Sequence, residues 1–328
     1  MIRRFIYKCL LLSACGLAPV ANALEPQLPS WNDSTARQAI TSFVERVTDP
    51  QHANYVAPAE RIAVFDNDGT LWSEQPVYFQ LFFGMDRAAK MMAANPELAQ
   101  QSPFKEVATG GMAAILGGGE EMLLKLIAAT HGNVSQQEFD RAVGEWMETA
   151  RHPTTGRPFS EMVYQPMLEL MEYLRSNDFE VWIVSGGGVG FMRVWADEVY
   201  GVPEEQVIGS RFALEYVDGE IRRGTSLTHV NDKEGKPVGI EQQIGKRPIF
   251  AAGNSDGDFA MIEWTTTGQP ASLGIIVHHT DAEREWAYDR ESPIGELERG
   301  LDEAPTRGWM VIDMQKDWSR IYPAPVIQ

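Results

Sequence analysis

Residues 61–72 read Arg61-Ile-Ala-Val-Phe-Asp66-Asn-Asp68-Gly69-Thr70-Leu71-Trp72, an apolar run followed by two aspartates and a glycine. The β-branched and aromatic residues of the run are typical of a short buried strand, and Gly69 marks the turn that ends it. Asp66 and Asp68 therefore follow the carboxyl end of a strand, where open α/β sheets place their chemistry. One carboxylate can attack an electrophile while the other transfers a proton. Alternatively, these residues have only a structural role, as a strand that ends in an Asx-rich turn.

Size and charge limit the classes of protein to which the chain can belong. It has 328 residues, 44% of them apolar, and a formal net charge of −18. This size suits one large domain or a core with an inserted module. Proteins that bind nucleic acid carry a basic surface, so the acidic balance argues against nucleic acid as a partner. Anionic lipid is disfavoured for the same electrostatic reason.

Residues 1–23 have the pattern of a secretory signal peptide. Arg3, Arg4 and Lys8 are basic, an apolar stretch follows, and Ala21-Asn22-Ala23 is an A-x-A cleavage site. The apolar stretch has about a dozen residues, fewer than the roughly 20 that a spanning helix requires. We therefore expect export to the periplasm or the exterior, and no transmembrane helix.

Both cysteines, Cys9 and Cys15, lie in this N-terminal segment. The mature chain would then contain no cysteine and needs no disulfide framework. Leu12-Ser13-Ala14-Cys15 resembles a bacterial lipobox, which leaves a lipid anchor at Cys15 as an alternative. Because the run between Lys8 and Cys15 is short for a lipoprotein signal, we favour soluble export.

Strand-like and helix-like segments alternate along most of the chain. A helix is predicted over 35–47, and strands over 61–66, 179–185, 212–221, 248–252 and 272–278, with a hairpin turn at Asp218-Gly219. Helices are also predicted over 191–200 and 259–264. This order is typical of the α/β class with a doubly wound, Rossmann-like parallel sheet.

A helical insertion interrupts this alternation after the first strand. The segments 78–94, 119–130, 135–150 and 160–176 are periodic and β-poor, with glycine breaks at 110–111 and 117–119. We therefore predict a core made of residues 24–76 and 178–328 and a helical cap of residues 77–177.

Asp66-Asn-Asp68-Gly69-Thr70 after an apolar strand resembles the first motif of the haloacid dehalogenase-like (HAD) superfamily of phosphohydrolases. Val181-Trp-Ile-Val-Ser185-Gly186-Gly187 resembles the second motif, in which a hydroxyl and bare backbone N–H groups hold a phosphate oxygen. This motif and the position of the helical insertion are most similar to the phosphoserine phosphatase-like branch of the superfamily.

The third HAD motif is a lysine, and Lys236 lies 20 residues before Asp256 at the start of a helix-like stretch. Lys233 and Lys246 remain alternatives for this position. All three lysines also have the simpler interpretation of solvated surface residues.

Gly253-Asn254-Ser255-Asp256-Gly257-Asp258 resembles the fourth motif, an acidic loop after a strand, but departs from it at one position. The family pattern is commonly Gly-Asp-x-x-x-Asp, which aligns Asn254 with the first acid and Asp258 with the second. An amide oxygen can bind Mg²⁺ but brings no charge. The candidate metal ligands in this loop therefore stay open among Asn254, Asp256 and Asp258.

The resemblance implies a Mg²⁺-dependent phosphatase that acts on a small organic phosphomonoester. Asp66 would form an aspartyl-phosphate, and Asp68 would protonate the leaving oxygen and then activate water. Mg²⁺ would be bound by Asp66, the backbone carbonyl of Asp68 and the acidic loop. The phosphate oxygens would be stabilised by Thr70, Ser185, the Gly186 N–H and Lys236.

Other residues are weaker candidates for the same site. Glu74 follows the first motif and either contacts substrate or is an exposed acid near a helix start. His278 and His279 end a predicted strand and are candidates for contact with the substrate or leaving group. Adjacent residues of a strand point to opposite faces, so a zinc site is disfavoured. Arg87, Lys90 and Arg193 are candidates for anionic substrate groups or ordinary surface residues.

Two other functions remain open from the sequence. The same scaffold could transfer the phosphoryl group to another acceptor, or hydrolyse pyrophosphate. A weakened enzyme that binds a phosphorylated ligand is suggested by Asn254 alone, because this residue replaces an acid.

Overall fold

The structure is a computed structural model that describes residues 27–324. The predicted signal peptide, its cleavage site and Cys15 lie outside the described residues. Within residues 27–324, none of the helices combines the length and the apolarity that a membrane crossing demands.

The centre of the described chain is one sheet of eight strands. The strands are β1 (Ile62–Phe65), β2 (Glu180–Gly188), β3 (Val207–Val217), β4 (Glu220–His229), β5 (Phe250–Gly253), β6 (Leu273–Thr280), β7 (Ala287–Tyr288) and β8 (Met310–Asp313). Their order is β4-β3-β2-β1-β5-β6, and β7 and β8 both pair with β6. All neighbouring pairs are parallel except β3–β4 and β6–β7. The predicted α/β class with a mostly parallel sheet is confirmed.

Helices cover the sheet and form the insertion after β1. They are α1 (Thr35–Thr48), α2 (Phe79–Ala94), α3 (Phe104–Gly117), α4 (Gly119–His131), α5 (Gln136–Thr149), α6 (Gln165–Arg175), α7 (Val189–Arg193), α8 (Ala196–Tyr200), α9 (Gly235–Gln243), α10 (Phe259–Thr266), α11 (Arg299–Arg307) and α12 (Met314–Asp317).

Strand β1 is buried on both of its faces. Ala63 and Phe65 join the large apolar cluster on the side of α1 and α6, whereas Ile62 and Val64 join the cluster on the side of α9 and α10. Successive residues of a strand point to opposite faces, so a central strand between two helical layers is apolar throughout. This explains why the strand Ile62–Phe65 is continuously apolar and not alternating.

The carboxyl end of β1 lies where the order of the strands reverses. The chain passes from β1 to its neighbour β2 on one side and later returns to its other neighbour, β5. The backbone N–H of Asp66 donates to the Ala252 carbonyl at 2.9 Å, which extends the pairing with β5 by one residue. Such a switch point leaves a crevice outside the strand ends, and Asp66 and Asp68 follow β1 directly into it.

Helices α2, α3 and α4 have an apolar cluster of their own, formed by Val77, Leu81, Ala88, Phe104, Ile115 and Leu126. The buried residues of α5 and α6 belong instead to the large cluster that covers the sheet. Both helices lie within the range 77–177 that was predicted as the cap, and the division into domains stays a prediction. We refer to α2, α3 and α4 as the cap helices below.

The sequence did not predict α3, because its glycines indicated a break. The break is present as a kink at Gly111, where φ is 59° and ψ is −145°. The predicted helix 191–200 is divided into α7 and α8, and β3 begins earlier than predicted because its first residues pair with β2. Strands β7 and β8 and helix α12 were not predicted, since each is short. Helix α11 was not predicted either, and it contains Pro305, a residue that argues against a helix interior.

Candidate active site

Asp66 and Lys236 form a buried ion pair at the carboxyl end of β1. The Lys236 ammonium, carried by α9, contacts Asp66 Oδ1 and donates to Asp258 Oδ1 at 2.6 Å and to the Val184 carbonyl at 2.9 Å. The three N–H donors of the ammonium therefore have three partners. Asp66 is 6% exposed and Lys236 is 2% exposed, so water screens this pair very little.

The other two candidate lysines lie elsewhere. Lys246 donates to Glu60 and to the Ala59 carbonyl in an exposed contact. Lys233 is also exposed. Of the three lysines that the sequence left open, the structure brings only Lys236 to Asp66.

Burial and neighbouring charges act on the pKa values of this pair. Burial alone would lower the pKa of Lys236, but the carboxylates of Asp258 and Asp66 outweigh it and raise that pKa above its ordinary value. Burial also raises the pKa of Asp66, with the carboxylates of Asp258 and Asp68 acting in the same direction and Lys236 opposing them. Additional positive charge near Asp66 would therefore favour its ionised form.

Asp68 is held by the side chain of Trp72. The indole Nε1 donates to Asp68 Oδ1 at 2.8 Å, and the ring of Trp72 stacks on Trp195 with centroids 4.4 Å apart. Burial raises the pKa of Asp68, and the hydrogen bond from Trp72 opposes part of that rise. A raised pKa suits a group that must give up a proton near neutral pH. No pattern in the sequence indicated that Trp72 contacts Asp68, although it lies only four residues after it.

Ser185 and the glycines that follow it end β2 beside Asp68. Ser185 is buried and its Oγ accepts the Gly187 N–H at 3.0 Å, while its carbonyl accepts from Asn231 Nδ2 at 2.9 Å. A Cβ at Gly187 would lie 3.2 Å from Gln80 Oε1 and 3.7 Å from Asp68 Oδ2. The absence of a side chain at this position keeps the space between Asp68 and the cap helices open.

Asn254, at the first acidic position of the loop, joins Thr70 to Glu74. Its Oδ1 accepts from Thr70 Oγ1 at 3.0 Å, and its Nδ2 donates to Glu74 Oε1 at 2.7 Å. The Tyr288 hydroxyl donates to the same Glu74 oxygen at 2.7 Å. Thr70, a predicted phosphate ligand, is thus fully buried with its hydroxyl directed at the acidic loop. Glu74 is 2% exposed, which contradicts its interpretation as an exposed acid.

The two aspartates of the loop point in different directions. Asp258 Oδ2 accepts the backbone N–H groups of Asn254 at 2.9 Å and Ser255 at 3.1 Å, while its Oδ1 binds Lys236. Asp256 instead accepts backbone N–H groups at the start of α11, from Glu298, Arg299 and Gly300. The structure therefore brings Asp258 to Asp66 and Lys236, and places the Asp256 carboxylate at a helix N-terminus.

The donor set of the crevice fits a hard divalent cation. Within residues 27–324, no three His, Cys, Asp or Glu side chains are grouped as a metal site. Candidate oxygen donors are the Asp66 carboxylate, the Asp68 carbonyl and the Asn254 amide, and Mg²⁺ prefers oxygen ligands. Five carboxylates (Asp66, Asp68, Glu74, Asp232 and Asp258) line the crevice, and Lys236 is the one Lys or Arg among the described residues that line it. Burial and the charges of Asp68 and Asp66 raise the pKa of Glu74, so additional positive charge would relieve this repulsion.

The two histidines at the end of β6 have different surroundings. His279 Nε2 lies 2.7 Å from the Gly69 carbonyl, and its Nδ1 lies 3.2 Å from Glu285 Oε2. Gly69 has φ of +73°, and a Cβ there would lie 2.1 Å from Asn254 Nδ2, so the turn requires glycine. His278 is partly exposed and pairs with Asp289. His279 therefore supports the turn after Asp68, and His278 faces away from it.

A cavity of about 310 Å³ opens above these residues. Asp66, Asp68, Glu74, Gly186 and Lys236 all line it, as do residues of α2, α4 and the β3–β4 hairpin. Asp256, Thr70, Ser185 and Asn254 are not among its lining residues. Gln80 connects the two sides, because its Oε1 accepts the Gly188 N–H at 2.8 Å and its Nε2 lies 3.0 Å from His131 Nε2.

Residues 63–263, more than half of the chain, match the family described as haloacid dehalogenase-like hydrolases. No curated protein matches the sequence. A conserved functionally unknown protein from Anaerococcus prevotii DSM 20548 is 17% identical, with a TM-score of 0.53, over 78% of this chain and 89% of its own.

Two further solved structures are similar at lower TM-scores. A protein with unknown function from Bordetella pertussis Tohama I is 20% identical, with a TM-score of 0.48, over 78% of this chain and 99% of its own. A phosphoserine phosphohydrolase-like protein from Francisella tularensis subsp. tularensis SCHU S4 is 17% identical, with a TM-score of 0.39, over 75% and 98%. At such identities the likeness concerns the fold alone, and the family rests on the match to residues 63–263.

Proposed function

Because the chain belongs to the haloacid dehalogenase-like hydrolases, we propose that it hydrolyses a small organic phosphomonoester through an aspartyl-phosphate at Asp66. The observation that carries this proposal is the pair of carboxylates after β1. Asp66 is buried against Lys236, and Asp68 is held beside it by Trp72. We assign Asp66 as the nucleophile and Asp68 as the acid, because burial raises the pKa of Asp68.

In the first half of the reaction, an Asp66 carboxylate oxygen attacks phosphorus and the bond to the ester oxygen breaks. The carboxyl group of Asp68 donates its proton to that departing oxygen, so the alcohol leaves neutral. Lys236 and the Gly186 N–H stabilise negative charge on the transferring group. The ion pair with Lys236 keeps the Asp66 carboxylate in position for attack.

In the second half, water attacks phosphorus and the bond to Asp66 breaks. The Asp68 carboxylate takes the proton of the attacking water, which restores its acid form. Inorganic phosphate leaves and Asp66 returns to a carboxylate. The low exposure of Asp66 limits access of other nucleophiles to the intermediate.

Mg²⁺ would be held by Asp66, the Asp68 carbonyl and Asn254, and it would supply positive charge that favours the ionised form of Asp66 and stabilises negative charge on the phosphoryl group. The amide oxygen of Asn254 is an uncharged metal ligand. The Glu74 carboxylate, which accepts a hydrogen bond from the same amide, supplies the negative charge that the aspartate of the family pattern would carry. We include Asp258 as the group that orients Lys236 and the loop backbone.

Phosphate release by the mature chain tests this function. We expect release from p-nitrophenyl phosphate and from a panel of natural phosphomonoesters, dependent on Mg²⁺. Asp66→Asn should lose activity by about 10⁴-fold or more, since the nucleophile is removed. Release that survives in Asp66→Asn would contradict the assignment of the nucleophile. Addition of alcohol acceptors and of pyrophosphate distinguishes hydrolysis of esters from phosphoryl transfer and from pyrophosphatase activity.

We also propose that the enzyme works outside the cytoplasm, on the basis of the pattern of residues 1–23. N-terminal sequencing of the protein from cells tests this: a start at Leu24 supports soluble export. A lipidated N-terminus at Cys15 would support the anchored alternative instead.

A further inference from the structure

The cavity above Asp66 has two walls of opposite chemistry. Its floor is the set Asp66, Asp68, Gly186 and Lys236, at the carboxyl ends of β1 and β2 and the start of α9. Its roof is the set Leu81, Leu123, Leu124, Ile127, Phe212 and Leu227, which belong to α2, α4 and the β3–β4 hairpin. A phosphoryl group on the floor would therefore direct the rest of the substrate toward apolar side chains.

Positive charge is scarce around this cavity. Lys236 is the lone Lys or Arg among the described residues that line it, and its ammonium already has three partners on the floor. Three further acids, Glu74, Asp232 and Asp258, line the cavity as well. A second anionic group on the substrate would find no free cation and would face a negative surface.

The other cations that the sequence indicated as candidates do not supply positive charge to the cavity. Arg87 donates to the Thr130 carbonyl and Arg193 to the Val207 carbonyl, and neither lines the cavity. Lys90 is exposed and does not line it either. The roof therefore offers apolar contact, and none of these cations gives an anionic group a partner there.

We propose that the leaving group of the substrate is an uncharged alcohol with an apolar body. The proposal rests on the phosphatase function proposed above and specifies its substrate class. Apolar surface that enters the roof is removed from water, which favours binding. A carboxylate at the same place loses its hydration without gaining a partner, which disfavours binding. Esters whose alcohol carries a carboxylate or a second phosphate are therefore poor substrates.

Matched esters test this selectivity. We expect kcat/KM for n-hexyl phosphate to exceed that for 6-phosphonooxyhexanoate, which differs by a terminal carboxylate, by about 100-fold or more. 6-Aminohexyl phosphate should also be poorer than n-hexyl phosphate, because Asp232 lies beside Gly186 on the floor and a terminal ammonium among the leucines of the roof loses its hydration without gaining a partner. Equal values for the hexyl and carboxylate esters, or a preference for either charged ester, would overturn the proposal.

A charge placed in the roof should change this preference. Leu124 is 44% exposed at the cavity, so Leu124→Arg can be accommodated without disturbing the apolar cluster of the cap helices. We expect it to raise kcat/KM for 6-phosphonooxyhexanoate by about 10-fold relative to n-hexyl phosphate. The matched control is Leu116→Arg, since Leu116 is 39% exposed on α3 and does not line the cavity. An equal effect of both variants would contradict a role of the roof.

Binding of non-hydrolysable ligands separates this proposal from the proposed function. Calorimetry with hexylphosphonate and with 6-phosphonohexanoate measures the roof's preference without any turnover. Tighter binding of hexylphosphonate by about 100-fold would support the apolar site even if no ester were hydrolysed. Equal binding in an active enzyme would overturn the substrate class and leave the phosphatase function standing.

Discussion

The floor and the roof of the cavity are built under different constraints. On the floor, each charged side chain has a polar partner: Lys236 has Asp66 and Asp258, and Asp68 has Trp72. In the roof, Leu123, Leu124 and Ile127 on α4 make apolar contacts that have no required direction. A buried charge depends on the position of its partner, whereas apolar burial depends mainly on the area removed from water.

Because of this difference, we expect substitutions on the floor and substitutions in the roof to have different effects. A substitution on the floor leaves a buried charge without a partner, so it should impair chemistry or stability sharply. A substitution in the roof alters which alcohol fits, and it should leave the bond-breaking steps in place. Substrate choice can therefore vary on α4 and the hairpin while Asp66, Asp68 and Lys236 stay unchanged.

After the loss of the nucleophile in Asp66→Asn, the largest effect should follow removal of the acid on the floor. With Asp68→Asn, we expect kcat/KM for n-hexyl phosphate to fall about 1,000-fold, because the alkoxide must then leave without a proton. For p-nitrophenyl phosphate the fall should be only about 10-fold, since p-nitrophenolate is a much better leaving group. Steady-state kinetics with both esters measures the difference.

The control for this prediction is Asp256→Asn. Asp256 lies in the acidic loop but binds backbone N–H groups at the start of α11. We expect kcat/KM to be unchanged for both esters, with a loss of about 1 kcal/mol in the free energy of unfolding as a helix cap weakens. Equal losses of kcat/KM for both esters in Asp68→Asn would contradict its role as the acid.

The next effect concerns the pairing of a carboxylate with an amide beneath the floor. Asn254→Asp would place a second carboxylate against Glu74, where Nδ2 now donates at 2.7 Å. We expect the metal-free variant to lose up to about 3 kcal/mol of unfolding free energy through this buried repulsion. Glu74→Gln in the Asn254→Asp background exchanges the two groups and should restore most of that loss.

Urea unfolding of the two single variants and the double variant measures the coupling between these positions. Mg²⁺ binding by calorimetry should be retained in the double variant, because one carboxylate and one amide are still present. Additive losses, with a coupling below about 0.5 kcal/mol, would show that the pair does not act as a unit.

The smallest predicted effect concerns His131, which ends α4 and contacts Gln80. Burial, with the charges of Arg223 and Arg87, lowers the pKa of His131 to about 3. The unfolded chain takes up a proton below the ordinary pKa of about 6.5 while the folded chain does not, so stability falls as the pH drops. At about pH 5 the loss amounts to about 2 kcal/mol.

Urea unfolding at pH 7 and pH 5 checks this in the wild type and in His131→Gln. The variant should lose about 2 kcal/mol less than the wild type between the two pH values, because it has no group to protonate there. An identical pH dependence of the two proteins would contradict the neutral His131 that contacts Gln80.

Much of the fold could be predicted because its signals are local. The run before Asp66 is continuously apolar, and the regular helices α1, α2, α4 and α5 each have a period that their own residues specify. Helix α3 could not be predicted, since Gly110 and Gly111 argue for a break and the helix depends on packing between α2 and α4. The short strands β7 and β8 likewise depend on the edge that β6 offers them.

In the candidate site, the structure brings Asp66, Asp68, Ser185 and Lys236 to the ends of β1 and β2. The local order of motifs predicted that these residues lie together. It did not separate Asp256 from Asp258, which lie two residues apart and point to different elements. The contacts of Trp72, Gln80, Asn231 and Tyr288 had no signal in the sequence. Each of these side chains acts through a hydrogen bond to a partner whose distance along the chain is not periodic.

The amino-acid sequence by itself determined the α/β class, the position of the two aspartates after β1 and the acidic balance of the chain. Tertiary structure alone decided which lysine meets Asp66, that Glu74 is buried behind Asn254, and that apolar side chains of α4 cover the cavity. Local patterns report the period and the ends of single elements. Partners of buried charges are chosen by the packing of elements far apart in sequence, where desolvation leaves few acceptable arrangements.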